Sequence, residues 1–402
     1  MIKNIMQTIR KNSKSTIWRY YAFTFLMSLH FFSAVLVPFF TQWGGISKTQ
    51  MQLLQSWFML WIFLLEIPTG VIADYLGRKH SLVLSALVGA IASIIYGSFP
   101  SFEIFLLGEF LFAASVALSS GADDALLYDS LKEEGQEHKS KDIFGKAHSV
   151  MLLAMLVSAP IGSLMAVKWG LNFPMILRAI PVILAALIAW SIKEPNIHTG
   201  PKEQRRYLDI AVKGTMFFLK HKVLRLIAID AIIVASSAYF VIWLYQPFLE
   251  LLKIPVVYFG LFHMVLMIAE IIVAFLFVRF EKLFGSAKAF IQFTAISTAF
   301  VFLLVAFIPN ITTVLLLIII GGGFGLSRIE YMTTYMNKLI PSSERATVLS
   351  SISMFRRLAL VFLNPLIGFT ADHSLRIAAL VVGLLPLVLF FFSPLEKEML
   401  DG

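Results

Sequence analysis

The chain has 402 residues, of which 58% are hydrophobic and only 14% charged, whereas soluble globular proteins carry about 45–50% apolar and about 25% charged residues. The excess is too large for one buried core, and the absence of cysteine excludes disulfides, thiol catalysis and thiolate metal sites. A formal charge of +9 would suit nucleic acid or an anionic surface, but its distribution along the chain points to membrane orientation instead.

The apolar residues come in blocks of the length a helix needs to cross about 30 Å of hydrocarbon. Residues 1–17 are basic and lead into an apolar run reaching Phe40. That run is too long for a signal-peptide core, so it reads as a retained first span. Twelve spans are expected, near 18–40, 51–72, 82–99, 102–128, 146–167, 174–192, 223–248, 256–278, 288–308, 311–338, 346–370 and 376–393. The longest hydrophilic stretch, 193–222, divides them into an N-terminal bundle over 1–192 and a C-terminal bundle over 223–402. Within that stretch Leu208, Ala211, Val212, Thr215, Met216 and Leu219 recur at helical spacing opposite Arg206, Asp209, Lys213 and Lys220. This pattern reads as an amphipathic helix on the inner leaflet.

With the N-terminus placed in the cytoplasm, 25 of the 33 Lys and Arg residues fall on cytoplasmic segments and four on external ones, Lys48, Lys168, Lys253 and Arg376. The bias puts both termini inside. A faint repeat joins Pro68-Thr-Gly70-Val-Ile-Ala-Asp74 at the end of span 2 to Pro365-Leu-Ile-Gly368-Phe-Thr-Ala-Asp372 at the end of span 11, with Pro160-Ile-Gly162 in span 5. Asp74 falls at the inner face and Asp372 at the outer face, the relation that inverted three-helix repeats produce.

Loop 2–3 reads Gly70-Val-Ile-Ala-Asp74-Tyr-Leu-Gly77-Arg78-Lys79. This resembles the loop 2–3 signature of the major facilitator superfamily, and the six-plus-six layout extends the resemblance over the whole chain. The resemblance implies an all-α membrane protein of twelve helices in two pseudo-symmetric six-helix bundles, with a central cavity and rocking between inward-open and outward-open states. It also implies that Asp74 accepts hydrogen bonds at the start of span 11, near Arg345-Ala-Thr, and that Arg78 pairs with an acid at the inner end of span 4. Asp129 is the first choice and Asp124 the second. Gly70, Asp74, Gly77, Arg78, Lys79, Asp124 and Asp129 would then form an inner latch; alternatively Arg78 and Lys79 only set topology.

Further phrases resemble a bacterial branch of exporters: Glu66-Ile-Pro-Thr-Gly70, Ser120-Gly-Ala-Asp-Asp-Ala125 with Tyr128-Asp129, and Arg345-Ala-Thr-Val-Leu-Ser350. Two features depart from drug/proton antiporters. Span 4 carries Glu109 where many members have an arginine, and the span 5 pattern is reduced to Ala159-Pro160-Ile-Gly162-Ser163.

A charge at the bilayer centre costs about 2.5–3.5 kcal/mol on insertion scales, so such residues face the protein interior or a water-filled path. His30 in span 1, Glu109 in span 4 and Glu270 in span 8 are the candidates for proton coupling, because a carboxyl or imidazole can exchange a proton at working pH. His30 could equally be a hydrogen-bonded structural histidine, and Glu109 could reach the outer interface. Asp123, Asp230, Arg328, Glu330, Arg356 and Arg357 are candidates for charge pairing. The expected pairs join Asp123 or Asp124 to one of the arginines; pairs inside one bundle that merely satisfy buried charge are the alternative. Tyr239 and Trp243, one turn apart on span 7, are candidate cavity aromatics.

The expected function is secondary transport, as proton-linked export of a small organic or amphiphilic solute. Uptake by symport or facilitation and lipid flipping are the alternatives. The expected partners are the solute, protons and membrane lipids, with no nucleic acid, no cofactor and no metal. The expected state is a monomer in a bacterial plasma membrane. No compact nucleophile or metal spacing suggests an enzyme, and no phosphate-binding loop suggests an ATP-driven pump.

Overall fold

The computed structural model describes residues 16–195, 214–342 and 344–392, and among them there is no β-strand. The first part of the expected amphipathic helix, 208–213, lies outside these residues. Its last part, 214–220, is helical, with Met216 and Leu219 exposed and Phe218 buried.

The helices are α1 (16–27), α2 (Lys48–Leu76), α3 (Arg78–Ser98), α4 (Phe102–Glu133), α5 (Glu137–Trp169), α6 (Phe173–Ser191), α7 (Lys222–Leu251), α8 (Val256–Leu283), α9 (Ala287–Phe307), α10 (Ile311–Leu339), α11 (Arg345–His373) and α12 (Leu375–Phe392). Among the described residues nine helices are long and apolar enough to cross a membrane. α2 joins them as a pair bent by 48° between Glu66 and Pro68, where proline removes a helical hydrogen bond.

The first expected span is not one continuous helix. It ends its regular ladder near Ser28, runs irregularly through 29–32, and resumes as distorted helix over 33–43. The break presses the Phe31 carbonyl against Gly162, where a Cβ would collide with it. The glycine of Pro160-Ile-Gly162 is thus a seat for irregular backbone, which hydrocarbon-depth structure tolerates only where protein covers it.

The chain forms two compact units, Met1–Ser33 with Trp57–Arg205, and Ala34–Ser56 with Arg206–Gly402. In the first unit α3 is the spine. Ser81, Ser85, Gly89, Ser93 and Gly97 recur every fourth residue and let helix backbones approach closely. Ser85 and Ser115 each donate to the other's carbonyl, at 2.7 and 2.8 Å, tying α3 to α4. Leu82 and Ala86 pack against Val182 and Ala185 of α6.

In the second unit α7 is buried along most of its length. Beside it, α10 widens into π-helix over Leu317–Leu326. The run Gly321-Gly-Gly-Phe-Gly325 makes this possible: a Cβ on Gly325 would lie 2.7 Å from the Ala238 Cβ. Its counterpart α4 breaks at Gly121, which has φ +74°. Both breaks immediately precede charged turns, Asp123-Asp124 and Arg328-Ile-Glu330, and π-turns and broken spans recur at functional sites.

Candidate functional site

Two of the expected coupling residues, His30 and Glu109, lie at the two ends of one aromatic cluster in the first unit. Glu109 is buried and accepts a hydrogen bond of 2.8 Å from the Tyr96 hydroxyl. It lies seven residues into α4, about 10 Å along the helix. The carboxyl is therefore held inside the unit. The Tyr96 ring packs on Phe105 and Phe112, and Phe112 packs on Phe32. Phe32 in turn stacks on His30, at 5.5 Å between ring centroids. The break in the first span thus places His30 and Phe32 beside α4.

Arg178 of α6 enters the same cluster and was not singled out as a site residue by the sequence reading. It is buried, donates from Nη1 to Ser93 Oγ at 3.0 Å, and lies 5.2 Å from the Phe112 ring and 5.8 Å from the Phe32 ring. The signal was available, because a single arginine inside an apolar span is costly unless used.

The second unit holds a charged group on α8, α10 and α11. Glu270 of α8 and Glu330 of α10 are within electrostatic reach of each other, and Arg356 of α11 is within reach of Glu330, Arg357 and Tyr239. Ser327 donates to the Glu270 carbonyl at 3.4 Å. Glu330 is exposed, and Arg356 and Glu270 are half-buried. Trp243 is buried with its ring 6.3 Å from Tyr239. Arg328 is separate from this group: its acid partner is Asp230, not Asp123 or Asp124, and it also donates to Thr294 Oγ1 and the Ile291 carbonyl. The π-run turns Arg328 inward against α7 and α9. In α4, Asp124 accepts from the Tyr20 hydroxyl at 3.3 Å and its own N–H donates to Asp123 Oδ1. Both aspartates sit in the first turn of Ala122–Glu133, where a helix N-terminus favours anions.

The signature loop is built as a capped turn. Arg78 pairs with Asp129 and donates to the Ala125 carbonyl at 2.9 Å. Gly77 has φ +93°, and the N–H groups of Arg78 and Lys79 each donate, at 2.8 Å, to the carboxylate of Glu194. The Lys79 ammonium lies 5.2 Å from the Trp190 ring. Glu194 satisfies the orphan donors at the start of α3, a role only the fold could reveal because 116 residues separate it from Arg78. Asp74 is half-buried near the end of α2, and a Cβ on Gly70 would meet nothing within 4 Å. Replacing Glu194 with alanine should cost about 1–2 kcal/mol, the range of a lost helix cap. Thermal unfolding of the purified variant, compared with Glu194→Gln, checks it; an unchanged midpoint in both would contradict the capping role.

The outer repeat copy is engaged inside the second unit. Asp372 accepts from Lys48 N at 2.8 Å, Thr49 N at 2.9 Å and Thr49 Oγ1 at 2.6 Å, capping the start of α2. A Cβ on Gly368 would lie 2.8 Å from the Lys48 carbonyl oxygen. Ser56 Oγ donates to the Val361 carbonyl, Gln42 Nε2 to Glu250, and Val37 N to Gln246 Oε1. Gln246 donates at 3.2 Å to Tyr245, whose hydroxyl meets His263 Nδ1 at 3.0 Å.

The sequence profile of the Major Facilitator Superfamily matches residues 21–364. An uncharacterized MFS-type transporter, YxaM of Bacillus subtilis (strain 168), is 24% identical over 347 residues, covering 83% of this chain and 84% of that protein. Among solved structures, the nucleoside transporter NupG superposes with a TM-score of 0.78 at 14% identity, covering 94% of this chain and 97% of that one. A D-xylose-proton symporter superposes at 0.72 with 13% identity, covering 96% and 98%. The profile match, running from α1 well into α11 and including the capped signature loop, shows that this chain belongs to the major facilitator superfamily.

Proposed function

We propose that this transporter is a twelve-span, monomeric secondary carrier of a bacterial plasma membrane with both termini in the cytoplasm. In this reading it exports a small organic or amphiphilic solute in exchange for protons by alternating access. Residues 1–192 and 223–402 form the two six-helix bundles and 193–222 the connection between them. The observation that carries the reading is Glu109, buried in an apolar helix with the Tyr96 hydroxyl as donor. Such a carboxyl can take up and release a proton as its surroundings change. Glu270, opposite Glu330, is the second exchange point, because two acids within reach favour sharing a proton. Uptake by proton symport uses the same residues with the solute gradient reversed.

Glu109→Gln keeps the Tyr96 contact but removes the exchangeable proton. In proteoliposomes its pH-driven solute flux should fall about 100-fold or more, the scale of general acid–base contributions, while solute binding persists. Flux equal to the unmodified protein's would exclude Glu109 as a coupling group.

A lipid-flippase reading has one observation in its favour. The outer ends of α8 and α10 frame a wholly apolar groove lined by Tyr258, Leu261, Phe262 and Leu315. Movement of headgroup-labelled lipid in liposomes would select it.

A further inference from the structure

Arg178 is a buried cation of the first unit's aromatic cluster that the proton-exchange reading does not use. Its guanidinium has five N–H donors in a planar fork. Among the described residues it makes one hydrogen bond, to Ser93, and Nε is buried without a partner. Among the described residues it has no acid partner, and the residue is 6% exposed. A buried cation left without an anion is strongly unfavourable, and two aromatic faces compensate only in part. Ser93 itself belongs to the small-residue stripe and donates a hydrogen bond to the Gly89 carbonyl, at 2.8 Å, so its oxygen is oriented to accept.

The two rings over the guanidinium are differently held. Phe112 is fixed on α4, but Phe32 lies in the irregular stretch 29–32, outside any helical ladder, and both are half-buried. Phe32 can therefore swing without breaking a helix. When it does, a planar cation is uncovered between apolar aromatic walls. That combination complements one class of molecule. A carboxylate would take the bidentate fork, and a flat apolar ring attached to it would lie between Phe32 and Phe112. Neutral solutes would leave the arginine unpaired, and a monocarboxylate supplies the one planar anionic group that its fork takes.

We infer that Arg178, Phe32 and Phe112 form a binding site for the charged end of an aromatic monocarboxylate, with Ser93 positioning the guanidinium. The inference rests on the transporter reading for its physiological meaning, since it names the solute class of the same cluster.

The test is thermal unfolding of the purified full chain, followed by tryptophan fluorescence, with 1-naphthoate and with 1-naphthalenemethanol as the neutral control. A ligand that binds only the native state raises the midpoint in proportion to its occupancy. The expected result is a rise with naphthoate and none with the alcohol. Arg178→Lys should weaken the apparent naphthoate affinity about tenfold, because an ammonium cannot match the fork. Arg178→Leu should abolish the shift while leaving the ligand-free midpoint at or above that of the unmodified protein. If the leucine variant does not fold, the lysine variant decides alone. No naphthoate shift in the unmodified protein, or an equal shift in the arginine variants, overturns the site. Binding and transport are read separately: an Arg178-dependent shift without naphthoate flux supports the site and sinks the transporter reading for this solute. Proton-linked flux of another solute with no naphthoate shift does the reverse.

Discussion

Replacing Asp230 with alanine is expected to destabilise the second unit by about 3–5 kcal/mol, the range for breaking a buried ion pair from one side. The Arg328 side chain is fully buried between α7, α9 and α10, and Asp230 is its acid partner. Thr294 and the Ile291 carbonyl accept from Nη1, but neither is an anion. Removing the carboxylate leaves a cation that cannot reach water. The double variant Asp230→Leu with Arg328→Met should recover most of the loss, because an apolar pair of similar volume is often neutral. The thermal midpoints of Asp230→Leu, Arg328→Met and the double form a cycle whose coupling isolates the pair. A loss below about 1 kcal/mol in Asp230→Ala, the scale of an exposed ion pair, would contradict its assignment as a structural lock.

Asp372→Ala acts on conformation more than on stability. The carboxylate caps the start of α2 through three hydrogen bonds, so its loss should weaken the attachment of residues 34–56 to α11 by about 1–2 kcal/mol. That corresponds to about a 5–30-fold change in the equilibrium between attached and released forms. The absence of native cysteine makes the change easy to read. Ser56 is 8% exposed and bonded to the Val361 carbonyl, so a cysteine at Ser56 should react slowly with an impermeant maleimide. Adding Asp372→Ala should accelerate the reaction by about that factor. An unchanged rate would show that Asp372 caps α2 without latching it.

The spans were legible because their signal is local. Block length, the Lys and Arg bias and the loop 2–3 motif each sit within a few tens of residues. The pairing of Arg78 with Asp129 was also legible, since one residue lies in the signature loop and the other at the charged end of α4. The repeat pointed to Asp372 as the outer copy of Asp74, and Asp372 does cap a helix start.

What the sequence hid depends on backbone irregularity and on distance. The first span breaks at residues without proline or glycine, Leu29 to Phe32, and the cause lies on α5, where Gly162 leaves room for the Phe31 carbonyl. The π-run in α10 rotates Arg328 towards Asp230, so helical spacing alone could not predict that pair. Glu194 follows the end of α6 and caps α3, and nothing near it in sequence announces the contact. Arg178 needed the third dimension for another reason. Its importance lies in what surrounds it, two phenylalanines from α4 and from the break in the first span.

The central claim is that solute movement is tied to protons through Glu109. The most direct measurement loads proteoliposomes with a pH-sensitive dye and adds solutes from a panel under an imposed pH gradient. The account predicts a dye response only with the transported solute, proportional to its flux, and its loss in Glu109→Gln with solute binding retained. Solute flux with no proton movement, at a rate independent of the gradient and unaltered by Glu109→Gln, would contradict it.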